Sequence, residues 1–426
     1  MILLGLNEIN FPFVERYIKS GQLPNFKKIV KNGLIKTNSE KDYYLLEPWI
    51  QWVTVFTGLS YKEHKVFRLG DIVNRKDLSQ IFEKLEKKSF KVGAVSPFNV
   101  DNRLKSPAFF IPDPWTKTHA SGNFLVKKIS SVISKIVNNN ASSKLEFLDL
   151  FWMIIFFILN VRLKKWLSFL KLIPQIKLPG VKAIILDKLL IELFFSLKKK
   201  TNPDFSHIFL NSGAHIQHHY LFNSSVYNGN LKNPEWYISK NWDPLLQILK
   251  VYDDFIGNLL DNNEKIICLT GLSQDPHDEE TYYWRLKNHN SFLKNIGFKD
   301  FIVKPRMSRD FLIEFESNKL AKHYQKILES YKDSIHSNKV FNVDNRGNSL
   351  FVELIFSKNL TKDIVFKSNL ENDISGLNKK LAFVAIKNGK HNGTGYLLSN
   401  LNLGLKKKIK LKDVHKLIYT NMLAHN

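Results

Sequence analysis

The sequence predicts an α/β fold: a largely parallel sheet sandwiched by helices, with a helical insertion as a cap. Two observations lead there. Short apolar runs recur along the chain (one from Met1 that breaks at Gly5-Leu6-Asn7-Glu8, then Lys91–Ser96, Ser206–Asn211, Lys265–Thr270 and Leu381–Ile386), and amphipathic segments separate them. That alternation is the pattern of parallel strands joined by crossover helices. Between them, residues 116–200 lose the strand pattern and turn helical, aromatic and basic.

Taken in order, MILLGL opens a strand that breaks at Gly5-Leu6-Asn7-Glu8, and a helix with a Leu-Pro-Asn step follows. Leu34–Thr37 reads as a short strand, Trp49–Thr57 as a helix, Leu78–Lys88 as a helix and Lys91–Ser96 as a strand. After the insertion, Ser206–Asn211 restores the sheet. Trp242–Asp261 is a long amphipathic helix, and Lys265–Thr270 and Leu381–Ile386 are buried strands. The expected core is 1–115, 201–275 and 381–426, with the helical insertion at 116–200 and a smaller one at 276–380. No internal repeat is present.

At 426 residues the chain can bury a large core, and its apolar share of 44% is ordinary for a soluble protein. The net charge of +24 admits an anionic partner or a bias spread over solvated faces, and the scatter of the lysines favours the second. The densest basic run, Lys406–Lys412, is broken by Ile409 and Leu411 and reads as a strand with one wet face. No zinc-finger, RNA-binding or helix-turn-helix signature accompanies the charge, so no nucleic acid is expected. The single cysteine, Cys268, sits in an apolar strand and cannot form an internal disulfide. No basic and apolar leader precedes the first strand, so a cytoplasmic location is expected.

The segment Leu145–Leu172 leaves two readings open. Its uninterrupted apolar stretch, Leu150–Leu159, falls short of the roughly 20 residues needed to span a bilayer. It is either a buried or capping helix pair, or a helical hairpin on a membrane surface with its basic residues toward anionic headgroups.

Polar groups gather at the strand ends: Asn7-Glu8, Asn211 to His215, Thr270 to Gln274, and His391. A further cluster, Glu47-Pro48-Trp49-Ile50-Gln51-Trp52, leads into a helix. In an open α/β sheet such ends lie along one edge, so distant residues converge there. Glu8 and Glu47 can divide acid and base roles, or join histidines around one ion; alternatively each caps the helix after it. Of His207, His215, His218 and His219, only one or two are expected to face inward, with His218 and His219 read as solvent or packing residues on a loop. Asp275, His277 and the acids after them read as a charged surface loop.

These motifs and their order resemble the alkaline phosphatase superfamily, in particular its type I phosphodiesterase/nucleotide pyrophosphatase branch. There the first strand usually ends in Gly-Leu-Asp-Gly; here it is Gly5-Leu6-Asn7-Glu8. Thr57-Gly58 to His64 resembles the family's Thr-Gly-x-x-x-x-x-His-Gly segment, with Lys65 in place of the last Gly. The nucleophile position falls on or beside Glu47-Pro48, where no hydroxyl stands. The family's Asp-x-x-x-His pair appears as Asn211 to His215, its Ser-Asp-His-Gly as Thr270-Gly271-Leu272-Ser273, and its last His as His391.

The resemblance implies a phosphoester hydrolase scaffold whose two-zinc site, of about six His and Asp ligands, is eroded. His215 and His391 are the metal ligands it keeps, and one divalent ion, zinc or manganese, is expected. Glu8, Glu47 and His215 are the expected catalytic residues. Asn7, Trp49, Gln51, Asn211 and Gln274 are the expected substrate contacts. The expected substrate is an anionic ester, phosphate before sulfate, on a glycan or nucleotide-like molecule, with a membrane surface as a further partner. The alternatives are a repurposed binding protein on the same scaffold, and a peripheral membrane protein anchored by 145–172.

Overall fold

A computed structural model describes residues 1–138, 146–306, 308–361, 363–404 and 406–424. In chain order, the elements begin with β1 (Ile2–Leu6), α1 (Phe11–Lys19), α2 (Pro24–Val30), β2 (Leu34–Asn38), α3 (Pro48–Thr57), α4 (Tyr61–His64), α5 (Ile81–Glu86), β3 (Val92–Val95) and β4 (Phe109–Ile111). The insertion follows as α6 (Phe124–Asn138), α7 (Phe147–Asn160), α8 (Leu163–Leu170) and α9 (Val181–Thr201). Then come β5 (Phe205–Leu210), α10 (Ser212–Tyr220), α11 (Pro244–Asp261), β6 (Ile266–Leu269) and β7 (Ser273–Leu286).

The next stretch holds α12 (His289–Asn295), β8 (Phe301–Pro305), β9 (Asp310–Phe315), α13 (Asn318–Ser330), β10 (Lys332–Asp333), β11 (Phe341–Asn345), β12 (Ser349–Leu354) and β13 (Phe366–Lys367). The chain closes on α14 (Leu377–Lys380), β14 (Leu381–Asn392), β15 (Thr394–Ser399), β16 (Lys408–Lys410) and α15 (Asp413–Ala424).

The central sheet has eight strands in the order β16-β2-β15-β6-β1-β5-β3-β4. Every pairing is parallel except those of β15 with β2 and β6. All residues of β1, β5 and β6 are buried, as the continuous apolar runs require of strands covered on both faces. Phe205, His207 and Phe209 alternate onto the face covered by Trp52, Phe56 and Phe82 of α3 and α5. Helices α2, α9, α10 and α11 pack against one another as a second layer. Cys268 is fully buried.

The helices stop where their caps dictate. Asn10 caps α1 by accepting from the Phe13 N–H at 3.2 Å. Pro48 opens α3, and Gly58, at φ 76°, ends it.

The chain divides into two units. One takes in Met1–Ile136, Leu145–His277 and Asn388–Asn426, so it contains most of the helical insertion; the other takes Asp278–Lys387 and, from the insertion, Val137 and Asn138 at the end of α6. The second unit holds a four-stranded antiparallel sheet, β11-β12-β9-β8, covered by α13.

Three expectations need correcting. The helix expected over Leu78–Lys88 covers only Ile81–Glu86. Leu381–Ile386 is not a strand of the central sheet. It begins β14, which runs to Asn392 and pairs with β7 as a two-stranded ribbon, while β15 takes the sheet position. The charged stretch from Ser273 onward is β7 itself, not a loop. A two-stranded ribbon needs no apolar alternation, so its pattern gave no strand signal.

Candidate functional site

β1 lies between β5 and β6, so chain connections leave it in both directions and its carboxyl end opens a crevice. Asn7 and Glu8 turn beneath that end. Glu8 has φ 59°, a left-handed conformation that costs a non-glycine residue about 1–2 kcal/mol. Three hydrogen bonds hold it. Its N–H donates to the Thr270 carbonyl at 3.0 Å, and its carbonyl accepts from the Gln274 N–H at 3.1 Å and from Gln217 Nε2 at 2.8 Å. This is the position that the Gly-Leu-Asp-Gly pattern fills with Gly. Lys65, at φ 54°, likewise stands where the second pattern has Gly. Both residues hold positive φ, and at Glu8 the residue brings a carboxylate into the polar network.

That carboxylate is 2% exposed and both its oxygens are engaged. Oε1 accepts from Asn7 Nδ2 at 2.9 Å. Oε2 accepts from Gln274 Nε2 at 2.5 Å and lies 3.1 Å from both His218 Nε2 and His391 Nε2. Burial alone would raise the Glu8 pKa. The charges of His391 and His218, with their hydrogen bonds, outweigh it and hold the carboxyl well below the usual range.

The surrounding side chains fix this arrangement. Asn7 donates also to Asn211 Oδ1 at 2.8 Å and accepts from Trp52 Nε1 at 2.9 Å. Gln274 Nε2 donates a second bond to the Ala214 carbonyl at 3.0 Å. Its Oε1 lies against Gly389, where a Cβ would come within 2.0 Å. Only glycine at 389 leaves room for the carboxamide to turn its nitrogen toward Glu8. Asn10 and Asn392 both donate to Asp275, tying the start of β7 to the end of β14.

Glu8, His218 and His391 each offer one ligand atom, and these atoms all lie within 4.8 Å of one another. One carboxylate and two imidazoles are a donor set suited to zinc or manganese. Ligand atoms of a tetrahedral ion with bonds near 2 Å stand roughly 3.3 Å apart. The two 3.1 Å separations from Glu8 Oε2 are close to that spacing, and the donor set suits one ion. Glu47 Oε2 lies 3.7 Å from His391 Nδ1, an ion-pair distance rather than a hydrogen bond. A carboxylate on the far side of a ligand imidazole favours a proton on Nδ1 and a free Nε2. Glu47 makes no side-chain cap to α3.

The expected site residues fall as follows. Glu8, Glu47 and His391 come together. Asn7, Asn211 and Gln274 lock the Glu8 side chain directly or through Asn7. Gln51 is fully buried and donates to the Leu45 carbonyl at 2.7 Å, tethering the segment before Glu47. Trp49 donates from Nε1 to the Phe67 carbonyl at 3.0 Å. His215 is exposed on α10 and packs edge-on against His219 at 4.8 Å between ring centroids, outside the trio.

The residue sequence reasoning missed is His218. The loop expected there is helical over Ser212–Tyr220, which sets His215 and His218 one turn apart. Beginning that helix directly after Asn211 would have raised His218 as a second inward candidate. His64 and His207 are core residues. His64 accepts from the Val66 N–H at 3.0 Å, and burial pushes its pKa down to about 4.

No family profile matches the sequence, and no curated protein matches it. Among solved structures, the chain is similar to phosphonoacetate hydrolase from Sinorhizobium meliloti 1021 in complex with phosphonoformate. Identity is 10%, coverage is 99% of this chain and 95% of that chain, and the TM-score is 0.45. It is similar to murine ectonucleotide pyrophosphatase/phosphodiesterase 5, at 11% identity, the same two coverages of 99% and 95%, and a TM-score of 0.44. A mutant of the alkaline phosphatase PafA stands at the same values, 11% and 0.44, again covering 99% of this chain and 95% of that one. These likenesses are of broad outline, and the chemistry rests on this chain's own residues.

Proposed function

We propose that the chain is a hydrolase or transferase of an anionic ester, a phosphate ester or diester before a sulfate ester, on a glycan or nucleotide-like molecule. It works with one divalent ion, zinc or manganese, held by Glu8, His218 and His391. The observation that carries this reading is the convergence of two imidazole nitrogens on one oxygen of a buried, ionised carboxylate at a strand-end crevice.

When bound, the ion supplies Lewis acidity toward an ester oxygen and a water of lowered pKa. Glu8 provides the negative charge that such an ion requires. Asn7 and Gln274 hold both of its oxygens in place before substrate arrives, so little reorganisation remains for the reaction. Glu47 is half-buried and orients His391, and it is the group near the trio with solvent access to take up a proton. No hydroxyl stands beside it at the resembled nucleophile position, so the acceptor attacks directly. Its oxygen bonds phosphorus as its O–H proton passes to Glu47; the ester P–O bond breaks, and the leaving oxygen departs with the bonding pair and takes a proton from solvent.

The test is turnover by purified protein loaded with zinc or manganese, on p-nitrophenyl phosphate, bis-p-nitrophenyl phosphate and p-nitrocatechol sulfate. Turnover on at least one is expected, falling about 100-fold or more in Glu8→Gln and Glu47→Gln. No turnover on any of them, with the ion bound, would contradict the reading.

A second reading has one observation in its favour: both oxygens of Glu8 are satisfied by protein groups alone. A binding protein that uses the same crevice needs nothing more. Thermal stabilisation by an anionic glycan without turnover would mark it.

A further inference from the structure

Helix α7 is built inside out. Of its fourteen residues, the buried ones are Asp149, Phe156 and Asn160. Lys135 pairs with the Asp149 carboxylate at 3.2 Å, and Ser196 donates to Asn160 Oδ1 at 2.8 Å. The outward side carries Phe147, Leu148, Phe151, Ile154, Ile158 and Leu159, with Phe147 86% exposed. Helix α8 continues the pattern through Leu163, Leu167 and Leu170, one apolar stripe at helical spacing, with Leu163 79% exposed. Ile173 and Ile176 extend it beyond the helix. Scattered exposed apolar residues need no explanation, but a continuous face of this kind marks an interaction surface.

Charge and length point to what covers it. Residues 124–182 carry ten Lys and Arg against two acids. Lys164, Lys171 and Lys177 are exposed among the apolar residues of α8 and the segment after it. Fourteen residues make a helix of about 21 Å, short of a hydrocarbon core of about 30 Å. No described helix is long and apolar enough to cross a membrane. Two copies of a chain carrying +24 repel each other, which disfavours a self-association that would cover the face. A wide apolar face among lysines, too short to span, is what an interfacial hairpin on an anionic lipid surface requires.

We infer that α7 and α8 form a docking surface for an anionic lipid membrane: the apolar side chains enter the headgroup–acyl boundary and the flanking lysines meet the headgroups. The inference does not depend on the ester reading, because none of these residues takes part in the Glu8 site.

The test is co-sedimentation of the full chain with phosphatidylcholine vesicles, with and without about 30% phosphatidylserine. Binding to the anionic vesicles is expected, weakening as salt is raised and falling about tenfold or more in the Ile154→Glu, Ile158→Glu, Leu167→Glu triple variant. These side chains are exposed, so the variant should keep its circular dichroism. Should it unfold, a second readout decides. Cys268 is the single cysteine and is buried, so a Leu170→Cys protein can be labelled with a polarity-sensitive dye, whose emission should shift to the blue on anionic vesicles. No vesicle binding, binding unchanged in a folded triple variant, or an unshifted dye would overturn the inference. So would a dimer that dissociates in the triple variant while vesicles go unbound, since a second copy then covers the face.

Discussion

Glu8 and Lys65 show how a local rule can be broken for different returns. Both hold positive φ where the resembled patterns carry glycine. At Lys65 the side chain is exposed and does nothing visible for the site, whereas at Glu8 the strain accompanies a carboxylate at the centre of the polar network. His207 belongs to the same scale. It is fully buried among Phe56, Phe82 and Trp52, with Nδ1 2.9 Å from the Leu3 carbonyl. Burial pushes its pKa down to about 3, against a weak opposing effect of that hydrogen bond. A depressed histidine pKa means the unfolded chain takes the proton first. Stability from this group is therefore complete above about pH 6.5 and is lost as pH falls toward 3, a few kcal/mol in all. His207→Leu should cost about 1 kcal/mol at neutral pH and flatten the stability curve between pH 6.5 and 4. Denaturant unfolding across that range checks it; an unchanged slope would remove His207 as a source of acid sensitivity.

At the scale of elements, the site depends on how closely α3 approaches β1. A Cβ on Gly5 would come within 2.8 Å of the Trp52 ring and 3.1 Å of Phe209. The missing side chain is what lets Trp52 reach Asn7. Gly5→Ala should overpack this contact, cost about 1–3 kcal/mol and alter the near-ultraviolet circular dichroism of Trp52. Wild-type stability and spectrum would show that α3 has slack there. The strand ends were legible in sequence because a buried parallel strand must be continuously apolar and its polar boundary is then abrupt, as at Leu6–Asn7 and Leu210–Asn211. The ribbon was not legible, because Ser273–Leu286 carries a proline and a run of acids. Extending β14 to Asn392 also places His391 on a paired strand rather than in a turn. His218 was hidden by a boundary: reading the residues after Asn211 as loop removed the periodicity that sets it against Glu8.

For the whole molecule, the unit that carries the central sheet combines a carboxylate- and imidazole-lined site at the end of β1 with an insertion whose apolar side faces outward. On the proposed function, Glu8, His218 and His391 hold one divalent ion. Such an ion stabilises the folded state by mass action, about 2.7 kcal/mol when present at a hundred times its dissociation constant. Calorimetric titration of zinc or manganese into the chelator-treated full chain is the most direct test. One ion per chain is expected, with binding lost in Glu8→Gln and His218→Ala and retained in His215→Ala. No binding, two ions per chain, or loss of binding in His215→Ala with retention in His218→Ala would contradict the account.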